Sequence, residues 1–203
     1  MEQKIKDLKC LGCGAPISMH QKRCRYCKRE IYISSFSSVL EQSEYDFARL
    51  QRFYQESAGE GEGSPDLYNS QGMCYMRLGQ YEKAYSSFEE AIRRNFDRSE
   101  TYFLAAAALM QGRNPFKMLK KDVDRAITLV TDASSIENAP IYDYFLAYLT
   151  YDFYGRKFLR SKVPWQVYLQ RAGESGVTED DISELHAFLH TQQPPALKTG
   201  GRR

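Results

Sequence analysis

Two Cys-x-x-Cys pairs, Cys10 with Cys13 and Cys24 with Cys27, stand ten residues apart near the start of a 203-residue chain, and they restrict its local fold more than any other feature. A two-residue spacing lets one tight turn aim both sulfurs at a single ion while the turn's backbone N–H groups donate to them. Gly14 follows the first pair directly and suits the left-handed conformation that closes such a turn. Four thiolates complete a tetrahedral site and leave no position open for substrate, so one structural Zn2+ per chain is the first reading. The same thiolates would accept iron, and a disulfide or dithiol redox pair is a third reading. A segment of about thirty residues has almost no core, so a bound metal would supply most of its folding energy. His20, in the loop between the pairs, reads as a solvated side chain.

The wording Cys10-Leu11-Gly12-Cys13-Gly14-Ala15-Pro16-Ile17 resembles the first knuckle of short zinc ribbons. The second knuckle departs from that pattern at Lys28, where glycine is usual. The first thirty residues carry eight Lys or Arg against three acids, a net charge of +5. Lys22, Arg23, Arg25, Tyr26, Lys28 and Arg29 are therefore candidate nucleic-acid contacts, with cations for phosphate and an aromatic ring for stacking. The plainer reading of the same charge is a solvated face.

The whole chain has a net charge of only +2, with 42% hydrophobic and 27% charged residues, which fits an ordinary soluble globular protein. Met1 to Lys9 are too charged for a secretory signal, and no later run is long and apolar enough to span a bilayer. No membrane partner is expected. The expected compartment is the cytoplasm, where disulfides are rare and paired cysteines read as ligands.

Composition and periodicity divide the chain into a zinc ribbon (1–33), a helix with an acidic linker (34–63), a helical array (64–190) and a flexible tail (191–203). Ser64-Pro65-Asp66 marks a helix start, with a capping serine, a proline at the first position and an early acid. Asp97 with Glu100 reads as a capping box for the next helix. Pro164 is expected to start another. Thr178 with Asp181 should cap a last helix whose apolar face is Ile182, Leu185, Phe188 and Leu189. From Thr191 onward no packing face is visible, and no strand is expected outside the cysteine segment.

Tyr68, Gly72, Tyr75, the turn Leu78-Gly79-Gln80-Tyr81, Ala84, Phe88 and Ala91 follow one another in the order and spacing of a helical hairpin. Residues 65–98 thereby resemble one unit of the tetratricopeptide repeat (TPR), whose period is about 34 residues. Phe96 stands where that pattern closes on proline. Tyr102 and Ala106 repeat Tyr68 and Gly72, and Ala126, Val130 and Ala133 echo Ala84, Phe88 and Ala91 after about eight extra residues, placed at Asn114-Pro115. A third hairpin is expected from near Ile141. The fold class is mostly α, a TPR-like helical-hairpin array preceded by a small zinc ribbon. The 15 tyrosines are read as wedges between hairpins, and Cys74 as a small packed residue.

The resemblance implies an inner, concave face that holds a peptide, with Asn69, Met73, Met76 and Arg77 from the first unit and Phe103 and Met110 from the second as partner contacts. The Lys and Asn that clamp C-terminal carboxylates in chaperone-binding relatives are missing, because Asn69 and Met73 stand in those places. A methionine-rich groove suits an amphipathic helix or apolar peptide. The alternative occupant is the chain's own flanking helix, 34–57 or 179–190. Nothing in the sequence assembles a catalytic site: His186 and His190 share a helix face without a third ligand, and read as last-turn residues whose partial protonation suits the dipole. The expected function is a non-enzymatic adaptor or scaffold binding another protein. The alternative is a nucleic-acid-associated factor acting through the basic ribbon.

Overall fold

The computed structural model describes residues 8–9, 15–17, 24–26, 28, 64–94 and 97–198. They belong to two compact units, Met1–Phe96 and Asp97–Arg203, so the range 64–190 is divided within what the sequence pattern treats as one array.

In the first unit, β1 (Leu8–Lys9) pairs antiparallel with β2 (Pro16–Ile17), Leu8 opposite Ile17 and Lys9 opposite Pro16. Helix α1 (Pro65–Arg77) starts as its sequence dictates: the Ser64 side chain accepts from the Leu67 N–H at 3.3 Å, and Pro65 holds the first turn. The end of α1 closes on Gly79 at φ +68, with the Gly79 N–H donating to Met76 O and the Gln80 N–H to Tyr75 O. The chain then turns back into α2 (Tyr81–Arg93), which packs against α1 through Ala84, Phe88 and Ala91, all fully buried. A Cβ added to Gly72 would lie 2.5 Å from the Phe88 ring, so this seam exists only because position 72 has no side chain. The Gly72→Ala protein should be less stable by about 1–3 kcal/mol, because the buried ring has nowhere to go. Gly173→Ala, where a Cβ meets open space, should be neutral or gain about 0.4–1 kcal/mol; thermal unfolding of the two variants checks both signs.

The second unit contains α3 (Ser99–Met110), α4 (Lys120–Ile136), α5 (Pro140–Thr150), α6 (Trp165–Glu174) and α7 (Glu179–Phe188). Helix α3 packs on α4, α4 on α5 and α5 on α6, while α7 lies against α5. Ala105 to Ala108 on α3 are all buried, as in a helix enclosed on every side. Its cap differs from expectation: Arg98 holds the capping position, and its side chain does not cap the helix. Ser99 acts instead in a tertiary tie, bonding Glu137 and accepting from the Tyr142 hydroxyl at 3.2 Å. The extra residues expected near Asn114-Pro115 form a 3-10 turn, Pro115–Lys117. Helix α5 runs on into a π turn, Tyr151–Gly155, and its return strut α6 completes the third hairpin.

Helix α7 has the expected capping box: the Asp181 N–H donates to Thr178 Oγ1 at 3.1 Å and the Thr178 N–H to Asp181 Oδ2 at 3.0 Å. Ile182, Leu185 and Leu189 are buried. The segment after Thr191 is not faceless, as its composition implied. Leu197, in the 3-10 turn Pro195–Leu197, is fully buried, so residues 191–198 belong to the folded unit.

His186 also departs from expectation. It is buried, its Nε2 lies 3.0 Å from the Tyr144 hydroxyl, its Nδ1 lies 2.9 Å from Thr191 Oγ1, and the Tyr148 ring meets it edge-on. Burial holds its pKa down at about 4, with Asp152 opposing the shift, so it is neutral and not a dipole-paired cation. Between that value and the unfolded value of about 6.5, the unfolded chain binds a proton that the folded chain does not. Stability is therefore full above the upper value and declines as pH falls through the window. Melting temperatures measured from neutral pH down to about 4 should show this decline, and His186→Gln should flatten it.

Candidate functional site

Helix α1 carries the first group of expected contacts. Asn69 and Met73 are each 1% exposed, Met76 is also buried, and Arg77 is half-buried in the last turn. Buried residues run without a break from Asn69 to Met76, so both the α2 seam and the opposite face of the helix are covered. The Arg77 Nε is buried with no hydrogen-bond partner among the described residues.

In the second unit Met110 is fully buried, and Phe103 is half-buried in an aromatic cluster. Its ring stacks on Phe188 at 5.8 Å and lies 5.8 Å from Tyr142 and 5.6 Å from Phe145, centroid to centroid. Three helices, α3, α5 and α7, thus supply one ring nest. The place where a partner residue was expected is held here by the chain's own Phe188. The cause is elementary: an amphipathic α7 must bury its apolar face, and the Phe103–Tyr142–Phe145 surface is apolar and adjacent.

Of the six basic-segment candidates, Arg25, Tyr26 and Lys28 are exposed, Tyr26 by 72%, while Lys22, Arg23 and Arg29 lie outside the described residues. Cys10, Cys13 and Cys27 also lie outside them, and Cys24 is fully buried. Lys28 adopts φ +61, and its N–H donates to Cys24 O at 3.0 Å. The position where zinc knuckles commonly place glycine therefore has the left-handed backbone that glycine favours, here with a lysine in it. Among the described residues, no group of three or more His, Cys, Asp or Glu is gathered as for a metal ion. Cys74 is fully buried in α1, and burial pushes its thiol pKa well above the usual range, which suits a packed residue and not a nucleophile.

Two buried acids of the second unit were not singled out by pattern. Asp143 lies 3.4 Å from Arg171 across the α5–α6 seam, and burial raises its carboxyl pKa against the pull of that guanidinium. Asp152 accepts from the Phe116 N–H at 2.8 Å and from Arg156 Nη1 at 2.6 Å. Only a run of aromatic residues around an isolated Asp hints at either in the sequence. No helix among the described residues is long and apolar enough to cross a membrane.

No curated protein matches the chain. The hairpin of α1 and α2, with its Gly72–Phe88 seam and its Gly79 turn, lies within residues 65–97, and these match the tetratricopeptide repeat family.

Proposed function

We propose that the chain is a non-enzymatic adaptor that binds another protein, taking an amphipathic helix or apolar peptide on its helical hairpins. The observation that carries this reading is the complete repeat unit at 65–97, since such hairpins are scaffolds for holding protein segments. The nest around Phe103 supports a docking mode by exchange. Phe188 is half-buried, stacks on Phe103 and belongs to a helix of ten residues. A partner's aromatic or aliphatic side chain would take the place of Phe188 on that ring.

Exchange gives two variants opposite signs. Phe103→Ala should weaken partner binding by about 1–4 kcal/mol, as loss of a buried anchor does. Phe188→Ala should strengthen it, because the competing ring is gone. Affinities measured on folded variants, against a partner recovered with the wild-type chain, decide the matter; normal affinity in a well-folded Phe103→Ala protein defeats the exchange.

The adaptor reading includes one structural Zn2+ held by Cys10, Cys13, Cys24 and Cys27. Support comes from the buried Cys24, the left-handed Lys28 closing on its carbonyl, and the Leu8–Ile17 pairing that brackets the first cysteine pair. The metal would fix the fold of the N-terminal segment and leave no coordination site for chemistry. Elemental analysis should find one zinc per chain. Cys24→Ser should lose it and keep most of the helical circular dichroism, because α1 to α7 have cores of their own.

A further inference from the structure

Two loops of the second unit are latched into one basic platform. Buried Asp152 receives the Phe116 N–H from one loop and the Arg156 guanidinium from the other. That guanidinium lies 4.4 Å over the Phe116 ring, and the Lys157 ammonium lies 5.0 Å from Phe116 and 3.8 Å from Phe153. Segments 116–121 and 156–162, joined at this latch, contain seven Lys and Arg and no acid. Two of the nearby acids are engaged, Asp124 with Lys120 and Asp152 with Arg156, and Asp122 follows Lys121 directly, so the two segments keep a cationic excess after these are counted.

Phe158 is 96% exposed, and Leu159 beside it is 48% exposed. The Leu159 N–H donates to Tyr154 O at 2.8 Å and the Phe158 N–H to Gly155 O at 3.2 Å, so Phe158 is the left-handed residue that ends the α5 extension, at φ +55. Gly79 and Gly176 hold the equivalent places after α1 and α6. A phenylalanine there bears backbone strain that glycine avoids, and its exposure gives it no packing in return. Gln111 and His190 share this backbone at other helix ends, so what sets Phe158 apart is the large apolar ring it leaves bare to solvent.

We propose that this platform docks on an anionic lipid surface, with Phe158 and Leu159 entering the boundary between headgroups and acyl chains. A side chain standing clear of the protein needs a partner that closes around it, and a fluid bilayer does so without a preformed cavity. The cationic excess supplies the second signal that a short apolar insertion requires, by attraction to negative headgroups. The expectation of no membrane partner came from the want of a spanning run. Among the described residues no helix is long and apolar enough to cross, but lying on a membrane and crossing it are different tasks. The proposal is independent of the repeat and its partner.

The full chain, mixed with vesicles, should float with phosphatidylcholine–phosphatidylserine mixtures and not with phosphatidylcholine alone, and less so as salt is raised. Phe158→Gly should reduce flotation roughly tenfold or more, while melting at or above the wild-type temperature. In Phe158→Trp, the emission should shift to the blue with mixed vesicles only. Equal flotation on both vesicle types, none on either, or undiminished flotation of Phe158→Gly overturns the proposal. So does capture by single-stranded nucleic acid or a polyaspartate peptide without any capture by the mixed vesicles.

Discussion

The Phe88 ring rests against the backbone of α1 because Gly72 offers no side chain to hold it away. Small opposite large is the constraint that recurs through both units. Ala84 and Ala91 flank that ring, and Ala126 and Ala133 line α4 at full burial. Phe145, Tyr144 and Tyr148 on α5 are buried as well, against Phe103 and His186. Interiors tolerate few voids, so each bulky ring fixes where its alanine or glycine counterpart must fall. The spacing of small residues thereby sets the helix pairs, and the pairs set every later feature.

Rings with hydroxyls bring a second requirement, because a buried O–H needs a partner. On α5 and its extension each such tyrosine reaches a different element. Tyr142 donates to Ser99 on α3, Tyr144 meets His186 on α7, Tyr148 reaches Asn114 in the loop after α3, and Tyr154 bonds Asp124 on α4. Burial raises the Tyr148 pKa to about 12 and that of Tyr144 higher still, so both remain neutral donors or acceptors at any ordinary pH. Apolar burial would hold these helices together in several registers. The hydroxyl ties select one, since a slip of one residue would strand several polar groups at once.

What could be read from the sequence was local. The Ser64 cap, the Gly79 turn, the Thr178–Asp181 box, the Gly72–Phe88 seam and the extra turn at Asn114-Pro115 each depend on residues close along the chain or on a fixed repeat interval. The misses were long-range. Asp97 and Glu100 spell a box, yet the helix starts a residue later and Ser99 is drawn to Glu137 and Tyr142. His186 looks like a surface residue at a helix end until Tyr144, Tyr148 and Thr191 enclose it. Leu197 follows Pro194, Pro195 and Ala196 with no periodic pattern to place it, yet it is fully buried. The repeat pattern placed Phe103 on an open face of α3 and left two occupants, a partner or the flanking helix 34–57 or 179–190; α7 supplies Phe188 at that ring, and 34–57 lies outside the described residues.

Helix ends give a finer test of what a residue is for. After α1 and α6 the closing left-handed position holds glycine, where the backbone cost is least. After α7 it holds His190, which is exposed but adjoins the Thr191 N–H bonded to His186 O at 2.9 Å, so the turn brings Thr191 Oγ1 to the buried imidazole. That departure from glycine sits beside a visible internal task. After the π turn the position holds Phe158, and no described contact uses its ring. The same latch that fixes this turn, Asp152 to Phe116 and Arg156, also draws the cationic loops to either side of it. Strain without internal return, beside a latch that ties two cationic loops together, points outward from the molecule. The energy that stabilises the α3–α7 cluster ends at Phe103 and Phe188, whereas any energy recovered at Phe158 must come from something the chain binds.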